Sequence, residues 1–228
     1  TSLCVHKERI FVTTGGEGTS LWFSDDFDPT NWVVSLTEAG FIDFQDERGA
    51  LLKVISFLDY VYIFREYGIS RLTAFSVQED FSVSNLHFKV GKIYGGSVTD
   101  CGEYVYFVST DGIYRFNGVD TVKFLDCYDD FLKGVDNQDC QGVYDSQKLY
   151  LNLKMRIDGD EEKVVIVYDL ISKTSYVLRG AKVTSLCLLQ GNSKTLLAVY
   201  NNGEKIAQLI DGYGKLFGKP LKKVWQSN

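Results

Sequence analysis

The chain has 228 residues, of which 45% are hydrophobic and 24% charged, with a net charge of −6 and an isoelectric point near 5.0. This length is enough to bury the core of one or two domains. The acidic balance argues against a general or sequence-specific nucleic-acid binder, which needs a basic face to displace counterions. No apolar run approaches the roughly 20 residues that a membrane-spanning helix needs, so no membrane partner is expected.

Cysteine usage indicates a reducing place of synthesis. The five cysteines are odd in number and form no Cys-x-x-Cys motif, so no disulfide framework is expected. Zinc needs three or four Cys or His ligands at short spacing, and the sequence has no such cluster. Cys4 and His6 share one strand face, but nothing supplies the third group that orients a nucleophile pair. We therefore expect no metal and no cofactor.

A repeated pattern of short strands runs along the chain. Each copy has an apolar strand, a turn, a second strand rich in Tyr, Phe and Val, a Gly turn and a third strand. Tyr62 and Tyr106 stand 44 residues apart, and Gly68 and Gly112 keep the same spacing. A period in the mid-forties built from short strands is typical of β-propeller blades.

Five such units of about 45 residues account for nearly the whole chain. In chain order, strands are predicted at residues 2–7, 9–14, 20–25 and 31–36; 41–44 or 51–58, then 60–66, 69–76 and 81–88; 96–101, 104–110, 113–118 and 121–126; 140–145, 148–155, 163–170 and 174–180; 183–190, 195–200, 205–211 and 219–226. Each second strand is apolar at nearly every position, which predicts burial on both of its faces.

The elements between the strands agree with this pattern. Asp111-Gly112 and Asp158-Gly159 are hairpin dipeptides that accept positive φ. Residues 128–134 lack strand alternation and predict one short helix. A double-sheet sandwich is the alternative fold, but it does not explain the period. The sequence therefore predicts an all-β protein, a five-bladed β-propeller, with residues 1–228 as a single domain.

Three acidic residues are candidates for catalysis. Asp43, Asp100 and Asp145 lie near inner strands, and five-bladed propellers that hydrolyse glycosides point such acids into a central funnel. Most other acids of the chain occur at turns, where carboxylates end hairpins. We therefore expect no enzymatic activity, with a glycoside hydrolase as a less favoured alternative.

An aromatic stretch is the candidate contact surface. Trp22, Phe27 and Trp32 fall close together, as expected of a patch that stacks on a sugar or binds a partner. Packing between the first blade and its neighbour is the other interpretation.

The segment 24–32 resembles the Asp box of sialidase-type propellers. It departs from that motif because Asp28 replaces a glycine and Asn31 separates Thr30 from Trp32. In those proteins the box is a structural turn, so the resemblance implies a turn and not an active site.

Four longer segments, taken in order, resemble the propeller domain of tailed-bacteriophage tail and neck proteins, of the tail-nozzle or packaged-DNA stabilisation type, from phages or prophages. The segments are 5–15, 20–32, 59–72 and 91–118, and shorter similarities occur at 128–132 and 218–227. Thr1 opens almost directly into a strand without a signal peptide. Together with the resemblance, this start leads us to expect a fragment of a longer virion protein.

The resemblance implies a non-enzymatic structural component of the virion tail or neck, made in the bacterial cytoplasm. Its partners would be other virion proteins, and it would act as a rigid scaffold, with copies forming a ring in the particle. The family implies no catalytic residues. A glycan- or receptor-binding propeller is the alternative function.

Overall fold

A computed structural model of the protein describes residues 1–14, 18–35, 37–75, 77–86, 89–180, 182–190, 194–200 and 203–209, and the backbone of residues 215–216 and 219–220. This part of the chain divides into two compact units that meet in sequence between Cys140 and Gln141. Strands dominate both units, so the all-β prediction is confirmed.

The first unit contains three antiparallel sheets, in each of which the strand order follows the chain. Sheet one consists of β1 (Ser2–His6), β2 (Arg9–Thr13), β3 (Ser20–Phe23) and β4 (Gly40–Asp43). Sheet two consists of β5 (Leu51–Phe57), β6 (Tyr60–Arg65), β7 (Gly68–Thr73) and β8 (Ser82–Leu86). Sheet three consists of β9 (Ile93–Asp100), β10 (Val105–Ser109), β11 (Gly112–Phe116) and β12 (Thr121–Phe124).

The second unit continues the same pattern. Sheet four consists of β13 (Gln141–Tyr144), β14 (Lys148–Ile157), β15 (Asp160–Asp169) and β16 (Thr174–Leu178). Sheet five consists of β17 (Ser185–Gln190), β18 (Lys194–Tyr200) and β19 (Lys205–Gln208). A separate strand pair consists of β20 (Lys215–Leu216) and β21 (Lys219–Pro220).

The predicted helix and a predicted hairpin are both present. Helix α1 (Asp129–Leu132) lies within the predicted range, and one-turn 3₁₀ helices occupy Gln78–Asp80 and Asp126–Tyr128. Asp158 and Gly159 have φ of 55° and 94°, as a two-residue turn between twisted strands requires.

The fourth predicted strand, residues 31–36, is wrong. Residues 31–35 form a turn, and residue 36 lies outside the described part of the chain. The Asp25 amide donates to the Asn31 carbonyl at 2.9 Å, and the Val33 amide donates to Asn31 Oδ1 at 3.1 Å. These amides are used within the turn, so β4 pairs with β3 instead.

Two other boundaries differ from the prediction. Two segments, 41–44 and 51–58, were alternatives for the first strand of sheet two, and the structure selects Leu51–Phe57. Residues 41–43 instead pair with β3 in sheet one. At the end of the chain, Lys219–Pro220 pairs with β20 rather than with β19. Residues 221–226 of that predicted strand, and residues 87–88 of an earlier one, lie outside the described residues.

The core of the first unit lies on both sides of β6. Val61 and Ile63 pack with Phe11 in a cluster that joins sheets one and two, while Phe64 packs with Phe107 in a cluster that joins sheets two and three. Full burial of one such side chain stabilises the fold by about 1.5–3 kcal/mol. Burial of a second strand on both faces is thus confirmed in sheet two. In sheet one it is wrong, because β2 is fully buried on one face only.

The same cation–π contact occurs in sheet two and in sheet three. The Arg71 guanidinium lies 4.7 Å from the centroid of the Tyr60 ring, and the Arg115 guanidinium lies 4.9 Å from that of Tyr104. Both residues of the second pair stand 44 positions after their counterparts. Sheets two and three are therefore copies of one structural unit.

The second unit has its own core between sheets four and five. Val165 and Val167 of β15 pack with Leu186 of β17 and with Leu196 and Ala198 of β18. The sheet-on-sheet packing of the first unit therefore recurs here. That residues 1–228 form a single domain stays a prediction.

Candidate functional site

A cleft of about 200 Å³ opens between the ends of sheets one and two. The turn between β1 and β2, the turn after β3 and the segment after β7 all contribute to it. They meet because β1 packs beside β5, where His6 Nδ1 lies 2.8 Å from Ser56 Oγ and Lys7 Nζ lies 3.0 Å from Asp59 Oδ1. The geometry of this cleft makes it the candidate functional site.

Charged groups of both signs line the cleft. They are Lys7, Glu8, Arg9 and Asp26. The ammonium group of Lys7 also lies 5.6 Å from the centroid of the Phe75 ring, within cation–π distance. Two cations and two carboxylates give a lining that is close to neutral at pH 7.

Arg9 is a buried cation beneath the cleft. Its Nη1 donates to the carbonyls of Ser24 at 3.0 Å and Glu38 at 2.6 Å, and its guanidinium lies 5.9 Å from the ring of Phe23 and 5.6 Å from that of Phe81. Among the described residues Nη2 makes no hydrogen bond, because the carboxylate of Glu38 is 3.8 Å away. Arg9 therefore connects the turns beneath the cleft, and its charge is balanced in part by the carboxylate of Glu38.

Apolar side chains form the rest of the lining. They are Phe27, Ala74, Phe75 and Val77. The side chain of Phe27 is 77% exposed and that of Phe75 is 52% exposed. Phe27 has φ of +56°, in the left-handed region that bulky residues rarely adopt. The chain thus holds a strained aromatic residue in solvent at the edge of the cleft.

Hydrogen bonds of the segment 24–32 hold Phe27 in place. The carboxylate of Asp25 accepts from the amides of Asp26 and Glu38 and from Asn31 Nδ2, each at 2.9 Å. The hydroxyl and amide of Thr30 both donate to Asp28 and lower the pKa of that carboxyl group. These bonds fit the structural turn that the resemblance to the Asp box implies.

The three predicted aromatic residues lie in three different settings. Trp22 packs on Phe41 of its own sheet, with ring centroids 4.8 Å apart, and Trp32 donates from its ring nitrogen to the Pro29 carbonyl at 3.1 Å. Only Phe27 lines the cleft. Its aromatic neighbour there is Phe75, which the sequence pattern placed in a strand and did not single out.

The three predicted acids each accept hydrogen bonds within their own sheet. Asp43 accepts from the Ser20 hydroxyl at 2.5 Å, and Asp100 accepts from the Gly102 amide at 2.8 Å. Asp145 accepts from the Lys148 amide at 2.8 Å and from the hydroxyl of Tyr150 at 3.1 Å. Burial and the charge of Asp145 raise the pKa of that tyrosine.

The three acids occupy different strand positions. Asp43 ends β4, the last strand of sheet one, where it pairs with Ser20 of β3. Asp100 ends β9 and Asp145 follows β13, which are the first strands of their sheets. That these acids face a central funnel stays a prediction.

Cys4 and His6 do not form a nucleophile pair. Burial raises the pKa of the Cys4 thiol to about 12, so the thiol is protonated at neutral pH. Burial, together with the charge of Lys7, lowers the pKa of His6. All five cysteines lie in the described part of the chain, and all are free.

The described residues contain neither a metal-binding cluster nor a membrane-spanning helix. Within the described ranges, no three His, Cys, Asp or Glu side chains come together in a way that would hold a metal ion. No helix there is long and apolar enough to cross a membrane.

No protein-family model matches the sequence, and no curated protein matches it significantly. Phe75 is far in sequence from Lys7 and Arg9, so only the fold brings these three residues together in one site.

Proposed function

We propose that this chain is a non-enzymatic structural component of a bacteriophage or prophage tail or neck. In this proposal its sheets are the blades of one five-bladed propeller, which presents its loops to other virion proteins. Rings of the protein would form in the particle through a heterologous interface with a closing rotation.

One observation carries the proposal. The segments that resemble the phage proteins follow one another in the same order as the repeated sheets. The described part of segment 5–15 and the start of segment 20–32 contribute strands to sheet one, 59–72 contributes strands to sheet two, and 91–118 contributes strands to sheet three. Within these segments, side chains such as Arg9 and Asp25 make hydrogen bonds that hold turns together. Such roles suit a scaffold.

An exposed apolar row on sheet one supports a role in protein contacts. Leu3, Val12, Trp22 and Phe41 are cross-strand partners and therefore share one face of the sheet. Leu3 is 65% exposed and Phe41 is 46% exposed. Contiguous apolar surface of this kind marks protein interaction sites.

Immunogold electron microscopy with antibodies against this chain tests the proposal. Particles are purified after prophage induction or phage infection of the host, and a capsid-protein antibody serves as the control. We expect label at the tail or neck. Particles that carry capsid label but contain none of this chain, by label and by mass spectrometry, would overturn the proposal.

A glycan- or receptor-binding propeller is the second candidate, favoured by the two exposed phenylalanine rings at the cleft. Binding to a glycan array distinguishes it from a scaffold alone. The glycoside-hydrolase alternative is tested with chromogenic substrates, where turnover lost in both Asp100→Asn and Asp145→Asn would establish an enzyme.

A further inference from the structure

We propose that the cleft between the ends of sheets one and two binds a single ring of a neutral saccharide. The inference rests on the glycan-binding candidate and names its subsite and ligand class. It does not depend on the scaffold role, which particle labelling tests separately.

The size of the cleft limits the ligand. Its volume of about 200 Å³ is below the roughly 300–1,000 Å³ of pockets that take drug-sized molecules. It therefore accommodates one sugar ring or one amino-acid side chain, and not an extended chain.

The charges of the lining favour neither an anion nor a cation, because two charges of each sign balance. Glu8 and Asp26 would repel an anion, and Lys7 and Arg9 would repel a cation. An apolar side chain of a partner protein would cover the charged groups of this lining without supplying hydrogen bonds to them, which is costly. A neutral ligand with many hydroxyl groups meets donors and acceptors of both kinds.

The aromatic residues supply the complementary apolar surfaces. Sugar rings present apolar C–H faces, and Phe27 and Phe75 present exposed aromatic rings. The Phe75 ring is supported by Tyr60, with centroids 5.6 Å apart, and by the ammonium group of Lys7. Stacking surface and polar groups thus occur together in one small cleft.

The backbone at one edge of the cleft is held in an unusual conformation. Phe27 lines the cleft with φ of +56°, and the hydrogen bonds of Asp25 maintain the turn that contains it. Strain of this kind clusters at ligand-binding positions, where the surrounding structure maintains it. The φ of +52° at Lys7 has a different cause, because this residue lies in the two-residue turn between β1 and β2.

A titration of the full chain with simple sugars tests the proposal. The neutral probes are the methyl glycosides of glucose, galactose, mannose and N-acetylglucosamine, and the acidic probes are glucuronic acid and N-acetylneuraminic acid. We expect saturable binding of at least one neutral probe by isothermal calorimetry. Phe27→Ala and Phe75→Ala should each weaken it by about three- to tenfold.

Phe131→Ala is the matched control, because Phe131 is 40% exposed on α1 and does not line the cleft. This variant should bind like the wild type, and melting curves should show that all three variants fold. Four results overturn the proposal: no neutral probe binds, only acidic probes bind, the two cleft variants bind unchanged, or a displayed peptide library yields cleft-specific binders while no sugar binds.

Discussion

Buried polar side chains connect the loops of this protein to its sheets. Arg65 of β6 is fully buried, and its guanidinium donates to the carbonyls of Gly49 and Phe44 and pairs with Asp46 at 2.6 Å. One side chain on a strand therefore organises the whole connection between sheets one and two. Partial burial raises the pKa of Asp46, but the Arg48 amide and the charge of Arg65 outweigh it and lower the pKa overall.

Arg65→Met should destabilise the protein by about 2–4 kcal/mol, because several buried carbonyl oxygens lose their donor. Urea unfolding at pH 7 measures the change. Arg156→Met is the control, since Arg156 is about half exposed and pairs with Glu161 at the surface, and it should cost less than about 1 kcal/mol. Equal effects of the two variants would contradict the assigned role of Arg65.

Asn152 of β14 is a buried polar side chain without the hydrogen bonds that Arg65 makes. It is fully buried, and neither its amide nitrogen nor its oxygen makes a hydrogen bond to the described protein. Asn152→Leu should stabilise the fold by about 1–2 kcal/mol, because it removes the desolvation cost of an unsatisfied amide. Ser70→Ala, which removes a hydroxyl bonded to Asn85 at 2.7 Å, should instead destabilise. A loss of stability in Asn152→Leu would show that the amide is satisfied.

Asp111 makes stability depend on pH. Burial raises its pKa, but the Ser109 hydroxyl, the Gly91 amide and the Tyr114 hydroxyl lower the pKa more, so the folded value lies below the ordinary 3.8. The group binds protons less readily in the folded state. Its stabilisation is therefore complete above the ordinary pKa and is lost as pH falls through the folded value.

Asp111→Asn should accordingly be less stable than the wild type at pH 7, and the difference should shrink below pH of about 4. Urea midpoints at pH 7 and at about pH 3 measure it. Glu103→Gln, at an exposed position, should follow the wild type at both values. If the two proteins differed in stability by the same amount at both pH values, protonation of Asp111 would not be linked to folding.

At the scale of elements, close approach of sheets limits side-chain size. A Cβ atom at Gly95 of β9 would lie 2.7 Å from the Leu52 Cβ atom of β5, which is closer than such atoms normally come. Gly95 is thus required where sheets two and three meet. The sequence pattern left this glycine just before the predicted strand 96–101 and contained no sign of the approaching strand.

Gly95→Ala should cost about 1–3 kcal/mol, because the two sheets must separate or shift to admit the methyl group. Denaturant unfolding checks this. Val122→Ala, on an exposed position of β12 in the same sheet, should change stability by less than about 0.5 kcal/mol. An unchanged midpoint for Gly95→Ala would mean that the sheets are not in contact there.

Most strands followed from local patterns, and one did not. Hairpins such as β14–β15 have a local turn signal, here Asp158-Gly159, and their strands contain alternating or continuous apolar residues. The strand β4 is short and follows a long connection, whereas the preceding residues 31–36 are more apolar. The hydrogen bonds of Asp25 and Asn31 keep the segment after β3 out of the sheet, so β4 becomes the fourth strand. Such side-chain hydrogen bonds are not visible in a hydrophobic pattern.

For the molecule as a whole, the net charge is the property with the clearest consequence. A charge of −6 disfavours contact with duplex DNA, which would suit the proposed component of a tail or neck through which DNA passes. The chain should therefore not retard a DNA duplex in a gel shift at physiological salt, whereas a basic DNA-binding protein in the same experiment should. Retardation that weakens steeply with added salt would show a basic face that the net charge conceals.

The sequence alone determined the class of structure. The 44-residue spacing of Tyr62 and Tyr106 and the turn dipeptides predicted successive antiparallel sheets, because strand pairing across a short turn is a local property. The candidate cleft depended on the tertiary structure. Lys7, Phe27 and Phe75 meet only because sheet one packs on sheet two, and contacts between distant segments leave no periodic signal in a single sequence. The same reason explains why the three acids and two tryptophans that the sequence pattern singled out do not line the cleft.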